Sequence, residues 1–132
     1  MSLHQRSLAE PAFPDDDGLI DPRLAQALGD DAAVFAVYGD VRVFVPIVAI
    51  LGDVATDGAD KSADMAAVFM TGADGRKALL TFSSVAALEA WSPLARPVPV
   101  RGREAAQAAL DEGASALLLD LGTDDFTVLE LR

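Results

Sequence analysis

The feature that most constrains the fold is the run Val41–Ile50, in which every residue except Arg42 is apolar. Val, Ile and Phe dominate this run, and these residue types favour β-strands. Because apolar residues occupy successive positions, other parts of the chain must cover both faces of the strand. Pro46 cannot donate a ladder hydrogen bond, so it predicts an edge position or a bulge.

Further strands are predicted from apolar runs that turn residues separate. Met65–Thr71 and Lys77–Phe82 flank the turn Ala73–Arg76, whose Asp-Gly pair is typical of a β-hairpin. The other extended segments are Val98–Val100, Ala114–Leu121 and Asp125–Leu131. Together with the first run they predict five or six strands, and we expect these strands to form a single sheet.

Short helices are predicted where capping residues precede apolar residues at helical spacing. Asp21 favours the start of one helix, and Ser84 favours the start of a second that ends at Trp91. The alanine-rich segment Gly102–Glu112 predicts another. Three or four short helices packed on one sheet give an α+β, or mixed α/β, domain.

Residues 31–38 fit two structures. One apolar run precedes a Gly-Asp pair and another follows it, which is typical of a hairpin. Asp30, however, is a typical helix-capping residue, and Val34 and Tyr38 share one face of a helix. The sequence favours the helix here and leaves the hairpin open.

Residues 1–20 are predicted to form a flexible acidic tail, and residues 21–132 a single domain. Pro11 and Pro14 break helices, and the acidic residues after them are typical of a turn. The segment also lacks the apolar core of a signal peptide.

The charge of the chain excludes several classes of partner. It has 21 acidic and 10 basic residues, which gives a net charge of −11 at pH 7. Because nucleic acids and anionic membrane surfaces are repelled, we expect neither as a partner. Asparagine is absent and lysine is scarce, as in proteins from GC-rich bacterial genomes. We expect an acidic bacterial protein of the cytoplasm.

No catalytic constellation is recognisable in the sequence. Cysteine is absent, which excludes thiol nucleophiles and Cys-ligated metals, and the one histidine is His4. Lys61 and Ser62 are adjacent, but neighbouring side chains of an extended chain point to opposite sides, so they form a poor dyad. We therefore expect a protein that is not an enzyme and that needs no cofactor.

The first function that remains is a protein-interaction module with an unknown protein partner. Lys61, Ser62 and Asp64 are candidates for a recognition loop, because loops on rigid scaffolds often carry binding residues. Trp91 and Arg96 are candidates for the same interface, since Trp and Arg are enriched at hot spots. The spacing of Trp91 along the predicted helix favours a core position, with the interface as the alternative.

The second function is a small-ligand or divalent-cation binding domain that uses the acidic loop 53–64. Asp53, Asp57, Asp60 and Asp64 offer the oxygen ligands that Ca²⁺ prefers. The EF-hand pattern is absent, so the sequence favours a solvated loop with Asx turns and leaves a weak cation site as the alternative. A homodimer formed through an edge strand is also left open.

The order and spacing of several segments resemble those of a known family. These segments are Arg42–Ala49, Asp60–Met65, Ala78–Ser84, Leu88–Trp91, Arg96–Val100 and Ala105–Asp120. Over roughly residues 20–131 the chain resembles the N-terminal domain of SseB-like proteins, in the short single-domain version common in actinobacteria. That family is associated with enhanced serine sensitivity and is often labelled as related to type III secretion.

The resemblance implies an α+β fold but no catalytic residues, because the family has no established activity. A secreted translocon subunit with a similar name would need long helical or coiled-coil segments, and this chain contains no sustained heptad pattern. The secretion label therefore carries little weight for this chain.

Overall fold

The computed structural model describes residues 13–50 and 64–131, with four helices and seven strands in these ranges. The helices are α1 (Pro22–Ala27), α2 (Asp31–Tyr38), α3 (Val85–Trp91) and α4 (Gly102–Asp111). The strands are β1 (Arg42–Ile50), β2 (Asp64–Ala67), β3 (Phe69–Thr71), β4 (Lys77–Thr81), β5 (Arg96–Arg101), β6 (Ala116–Leu119) and β7 (Thr127–Glu130). The predicted α+β class is confirmed.

The strands form two hydrogen-bonded sheets, so the prediction of a single sheet is wrong in this detail. One sheet has the order β2-β1-β5 and the other has the order β3-β4-β6-β7. The sheets meet where Phe44 and Phe82 exchange backbone hydrogen bonds of 2.7 and 2.8 Å. The strand predicted over Met65–Thr71 divides at Val68, because its first part pairs with β1 and its second part with β4.

Pro46 lies in the central strand of its sheet, so the edge position expected from the sequence is wrong. It is opposite Pro97 of β5. Backbone groups alternate sides along a strand, and the N–H of Phe44 points away from β5 toward Phe82, so the nitrogen of Pro46 also faces away from β5. Pairing with β2 begins at Ile47. The missing N–H of Pro46 therefore falls where the neighbour of β1 on this side changes from Phe82 to β2.

Alternate strand residues enter two apolar clusters, one on each face of the sheets. The cluster under α1, α2 and α4 includes the strand residues Val43, Val45, Leu79, Leu117, Leu119 and Leu129. The cluster under α3 includes Phe44, Leu80, Phe82 and Leu88. Since the neighbours Val43 and Phe44 are both buried but enter different clusters, both faces of β1 are covered there, as predicted.

Three of the four described helices begin at the predicted capping residues. The Asp21 carboxylate accepts the N–H of Arg23 at 2.8 Å, and Ser84 Oγ accepts the N–H of Ala87 at 3.1 Å. Asp30 caps α2 by accepting the N–H of Ala33 at 3.2 Å. Residues 31–38 therefore form a helix, which settles the choice that the sequence left open.

Candidate binding groove

An apolar groove of about 620 Å³ lies between α4 and the sheets. Its floor consists largely of half-buried apolar side chains from four strands. These are Ile47, Ala67, Phe69, Val98 and Val100. Ala105 and Ala108 form the side of the groove that belongs to α4. A volume of this size is typical of sites that hold a ligand or part of a partner.

The groove exists because α4 covers only part of this face. A helix of ten residues is about 15 Å long. Ala105 and Ala109 face the sheet and are buried, whereas Ile47 and Val98 are only half-buried. Their apolar surface is left in contact with solvent, and covering it would favour binding.

Carboxylates line the groove along α4. Glu104, Asp111 and Glu112 contribute to it, and none of them forms a salt bridge with another described residue. The C-terminal end of a helix carries a partial negative charge, and the last turn of α4 contains no basic residue. The groove therefore combines an apolar floor with a negatively charged side.

Lys77 approaches the same end of α4 from β4. Its Nζ donates a hydrogen bond of 2.7 Å to the backbone carbonyl of Glu112 and lies 4.7 Å from the ring centroid of Phe69. This ammonium group caps the helix end. Because the same Nζ contacts both the Glu112 carbonyl and the Phe69 ring, Phe69 lies beside the C-terminal end of α4.

A buried arginine holds the segment before α1 against the sheets. Arg42 Nε lies 2.9 Å from Asp16 Oδ2, and Arg42 Nη1 donates to the carbonyl of Ser83 at 3.0 Å. Its Nη2 donates to the carbonyl of Leu19, and its guanidinium stacks 4.2 Å from the ring centroid of Phe44. Residues of the predicted tail are thus bonded to the domain through Arg42.

A second buried network joins the ends of the parallel strands β4 and β6. Asp120 accepts hydrogen bonds from Ser83, and Tyr38 Oη donates to Thr81 Oγ1 at 2.9 Å. Burial raises the pKa of Asp120, although its hydrogen bonds from Ser83 oppose the shift. Burial also raises the pKa of Tyr38. Every buried polar side-chain atom in the described ranges has a partner, so this network stabilises the fold.

Some predicted site residues have no described position. These are Lys61 and Ser62 of the recognition loop and Asp53, Asp57 and Asp60 of the alternative cation site. Asp64 is the first residue of β2, where its backbone lies opposite Ile50. Within residues 13–50 and 64–131, no three His, Asp or Glu side chains converge to hold a metal ion.

Trp91 and Arg96 are not brought together. Trp91 is half-buried in α3, with its ring centroid 5.7 Å from that of Phe82. Arg96 is exposed at the start of β5, opposite Ile47, whose side chain packs on the α4 side of the sheets. Because paired residues share a face, Arg96 lies on the side of the groove and Trp91 lies on the other side.

The groove is not among the sites predicted from the sequence, although one signal for it is present there. Glu104, Ala108, Asp111 and Glu112 are spaced four, three and one residues apart, so they share one stripe of the helix. A stripe that contains alanine and acidic residues but no basic residue is too polar for the core. Its negative charge is also not balanced on the same helix face. The floor has no such signal, because its residues come from separate strands.

Comparison with known proteins agrees with the resemblance. The model of one family, described as the SseB protein N-terminal domain, matches residues 22–131. This range contains every helix and strand named above, and therefore the whole groove. No curated protein and no solved structure matches the chain. Among the described helices, none has the length and apolarity needed to cross a membrane. The chain belongs to the family of the SseB protein N-terminal domain.

Proposed function

We propose that this chain is a non-enzymatic protein-interaction module that holds its partner in the groove between α4 and the sheets. The observation that carries the proposal is an apolar floor beside carboxylates that have no salt-bridge partner among the described residues. Burial of the floor stabilises a complex, and the carboxylates favour a partner with basic residues.

The chemistry of the lining supports binding rather than catalysis. Among the described residues, those that line the groove include carboxylates but no imidazole, amine or hydroxyl group. A nucleophile held beside a general base is the usual arrangement for covalent catalysis, and these residues do not supply one. The lining instead offers contact area and charge, which are the properties that a docking site needs.

The proposal is tested by selecting binders from a library of random peptides. The immobilised baits are the wild-type chain, Ala108→Trp and Ala86→Trp. Ala108 is exposed and lines the groove, so tryptophan there fills it; Ala86 is exposed on α3, which covers the other face. The two variants thus place the same bulk on a helix surface inside and outside the groove.

Peptides selected on the wild-type chain should bind Ala86→Trp with unchanged affinity and Ala108→Trp about tenfold more weakly. Circular dichroism checks that all three chains are folded. Equal binding to the three chains contradicts the proposal, as does a selection that enriches no peptide. Thermal stabilisation by a small molecule, with no peptide enriched, favours the alternative small-ligand function.

A further inference from the structure

We infer that the partner docks as an extended strand on the edge formed by Asp64–Thr71, which has no further neighbour among the described strands and which we call the β2–β3 edge. The inference rests on the proposed function and specifies how the partner enters the groove. Ala67 and Phe69 belong both to this edge and to the floor of the groove. A strand added here would therefore lie at the mouth of the groove.

The register shows which backbone groups of β2 point away from β1. Because the N–H of Phe44 faces away from β5, the N–H groups of Val48 and Ile50 face β2. Their partners are Ala66 and Asp64, whose backbone groups consequently point inward. The alternate residues of β2, Met65 and Ala67, point their N–H and carbonyl groups outward.

The same alternation continues through β3. The carbonyl of Val68 accepts the N–H of Leu80 at 3.0 Å, and Gly72 donates to the carbonyl of Arg76 at 2.8 Å. Even-numbered residues of this segment therefore face β4, and Phe69 and Thr71 face outward. In total, Met65, Ala67, Phe69 and Thr71 present four outward N–H groups, and the edge contains no proline.

The edge of β5 is closed to an added strand. The residues of β5 whose backbone N–H and carbonyl positions point outward are Pro97, Pro99 and Arg101. The residues between them direct their backbone groups toward β1. The two prolines have no N–H, and the N–H of Arg101 donates to Glu104 Oε1 at 3.3 Å. Proline on an edge strand is a common protection against unwanted pairing.

The edge of β7 is short and charged. Since Leu131 donates to the carbonyl of Ser115, the outward residues of β7 are Val128 and Glu130. Glu130 forms an ion pair with Arg76. Among the edges in the described ranges, the β2–β3 edge thus combines the longest row of outward donors with an adjoining apolar groove.

The side chains define the chemistry of the partner. Ala67 and Phe69 pack against the cluster on the α4 side, and residues paired across strands share a face. Every second side chain of an added strand would therefore reach the groove, where apolar groups are favoured. Phe69 lies beside the end of α4 that carries Asp111 and Glu112, and the single Lys77 ammonium there leaves a net negative charge. The structure therefore fits an extended protein segment with alternating apolar residues and a basic residue at the Phe69 end.

Amide hydrogen exchange of the ¹⁵N-labelled chain tests this docking mode. The probe is the peptide most enriched on the wild-type chain in the selection described above, added to saturation. Exchange of the Met65, Ala67 and Phe69 amides should slow about tenfold or more, because each outward N–H gains an acceptor. The inward amides of Ala66 and Met70 should change little, so the protection should alternate along the edge.

The outcomes separate the docking mode from the proposed function. If the peptide shifts the resonances of Ala105 and Ala108 but leaves the edge amides unprotected, it binds the groove in another way and strand addition is wrong. If the edge amides are already protected without peptide, another part of the chain or a second copy occupies the edge, which also overturns the inference. Dependence of that protection on protein concentration identifies the second copy.

Substitution at the edge gives an independent test. Ala67→Pro removes one outward N–H that has no partner within the sheet, whereas Ala67→Val keeps it and also enlarges the side chain. We expect Ala67→Pro to bind the probe about tenfold more weakly than Ala67→Val, because both variants enlarge the same groove side chain and only the proline lacks the N–H. Equal binding overturns strand addition. If Ala67→Pro does not fold, alternate N-methylation of the probe should cause the same loss.

Discussion

The carboxylate of Asp120 accepts two hydrogen bonds from Ser83, one from its N–H at 2.7 Å and one from its hydroxyl at 2.6 Å. Ser83 follows β4 closely and Asp120 directly follows β6, and these strands are parallel neighbours. Asp120 has a φ of 62°, a left-handed conformation that Asp tolerates better than most residues. One side chain therefore holds the ends of two strands together.

Replacing Asp120 by alanine should destabilise the chain by about 3 kcal/mol, because two buried donors of Ser83 lose their acceptor and the left-handed backbone is kept. Asp120→Asn should cost less, since its amide oxygen still accepts one bond and Asn tolerates this φ. Urea denaturation monitored by circular dichroism measures both. Equal midpoints for the two variants would contradict this role of the carboxylate.

Asp120 should also make the stability depend on pH. Burial raises the pKa of Asp120 in the folded state above 3.8, which is its ordinary value and applies to the unfolded state. At a pH between 3.8 and the raised pKa, the folded state therefore binds more protons than the unfolded state. The free energy of unfolding should therefore fall as the pH rises through the raised pKa. Asp120→Asn removes this contribution. Its unfolding free energy relative to wild type should rise as the pH increases from 3.8 through the raised pKa of Asp120, as urea titrations would measure.

Gly102 is required by close packing against α2. A Cβ at this position would lie 1.8 Å from the carbonyl oxygen of Tyr38, whereas a Cβ at Gly39 would have its nearest contact at 3.8 Å, with Arg103. Gly102→Ala should therefore destabilise the chain by about 3 kcal/mol, and Gly39→Ala should be nearly neutral. Thermal unfolding gives the Tm of each variant, so the same glycine-to-alanine change is compared at a crowded position and at an open one.

Trp91 contributes to the cluster under α3. Trp91→Ala removes a half-buried ring that stacks on Phe82, so we expect a loss of about 2 kcal/mol and a Tm lower by about 6 °C. Leu94→Ala is the control, because Leu94 is 94% exposed. An unchanged Tm for Trp91→Ala would leave the ring free to act as a binding residue, as the sequence analysis also allowed.

The carboxylates at the end of α4 should matter for binding and not for folding. The double substitution Asp111→Asn and Glu112→Gln removes negative charge where the helix dipole is already negative, so it should stabilise the chain by about 0.5 kcal/mol. The same variant should bind a basic peptide several-fold more weakly, with less dependence on salt. Scanning calorimetry measures the change in stability, and titration calorimetry at low and high salt measures the change in peptide binding. A loss of stability would contradict the proposed charge arrangement.

Most of the secondary structure could be predicted from the sequence because its causes are local. Asp21, Asp30 and Ser84 accept N–H groups two or three residues away, so the same short segment contains the cap and the helix that it begins. The Asp-Gly turn between β3 and β4 is likewise a property of a few adjacent residues. The family resemblance also depends on the order of such segments.

The partners of the strands and the groove depend on residues that are distant in the sequence. On the side of β1 that faces away from β5, Phe44 pairs with Phe82 and Ile47–Ile50 pair with β2, and both partners are distant in the sequence. The groove appears only when α4 packs on this face and leaves Ile47 and Val98 partly uncovered. Local propensity specifies elements because it acts within a few residues, whereas pairing, exposed edges and grooves arise from packing between elements, which tertiary structure alone decides.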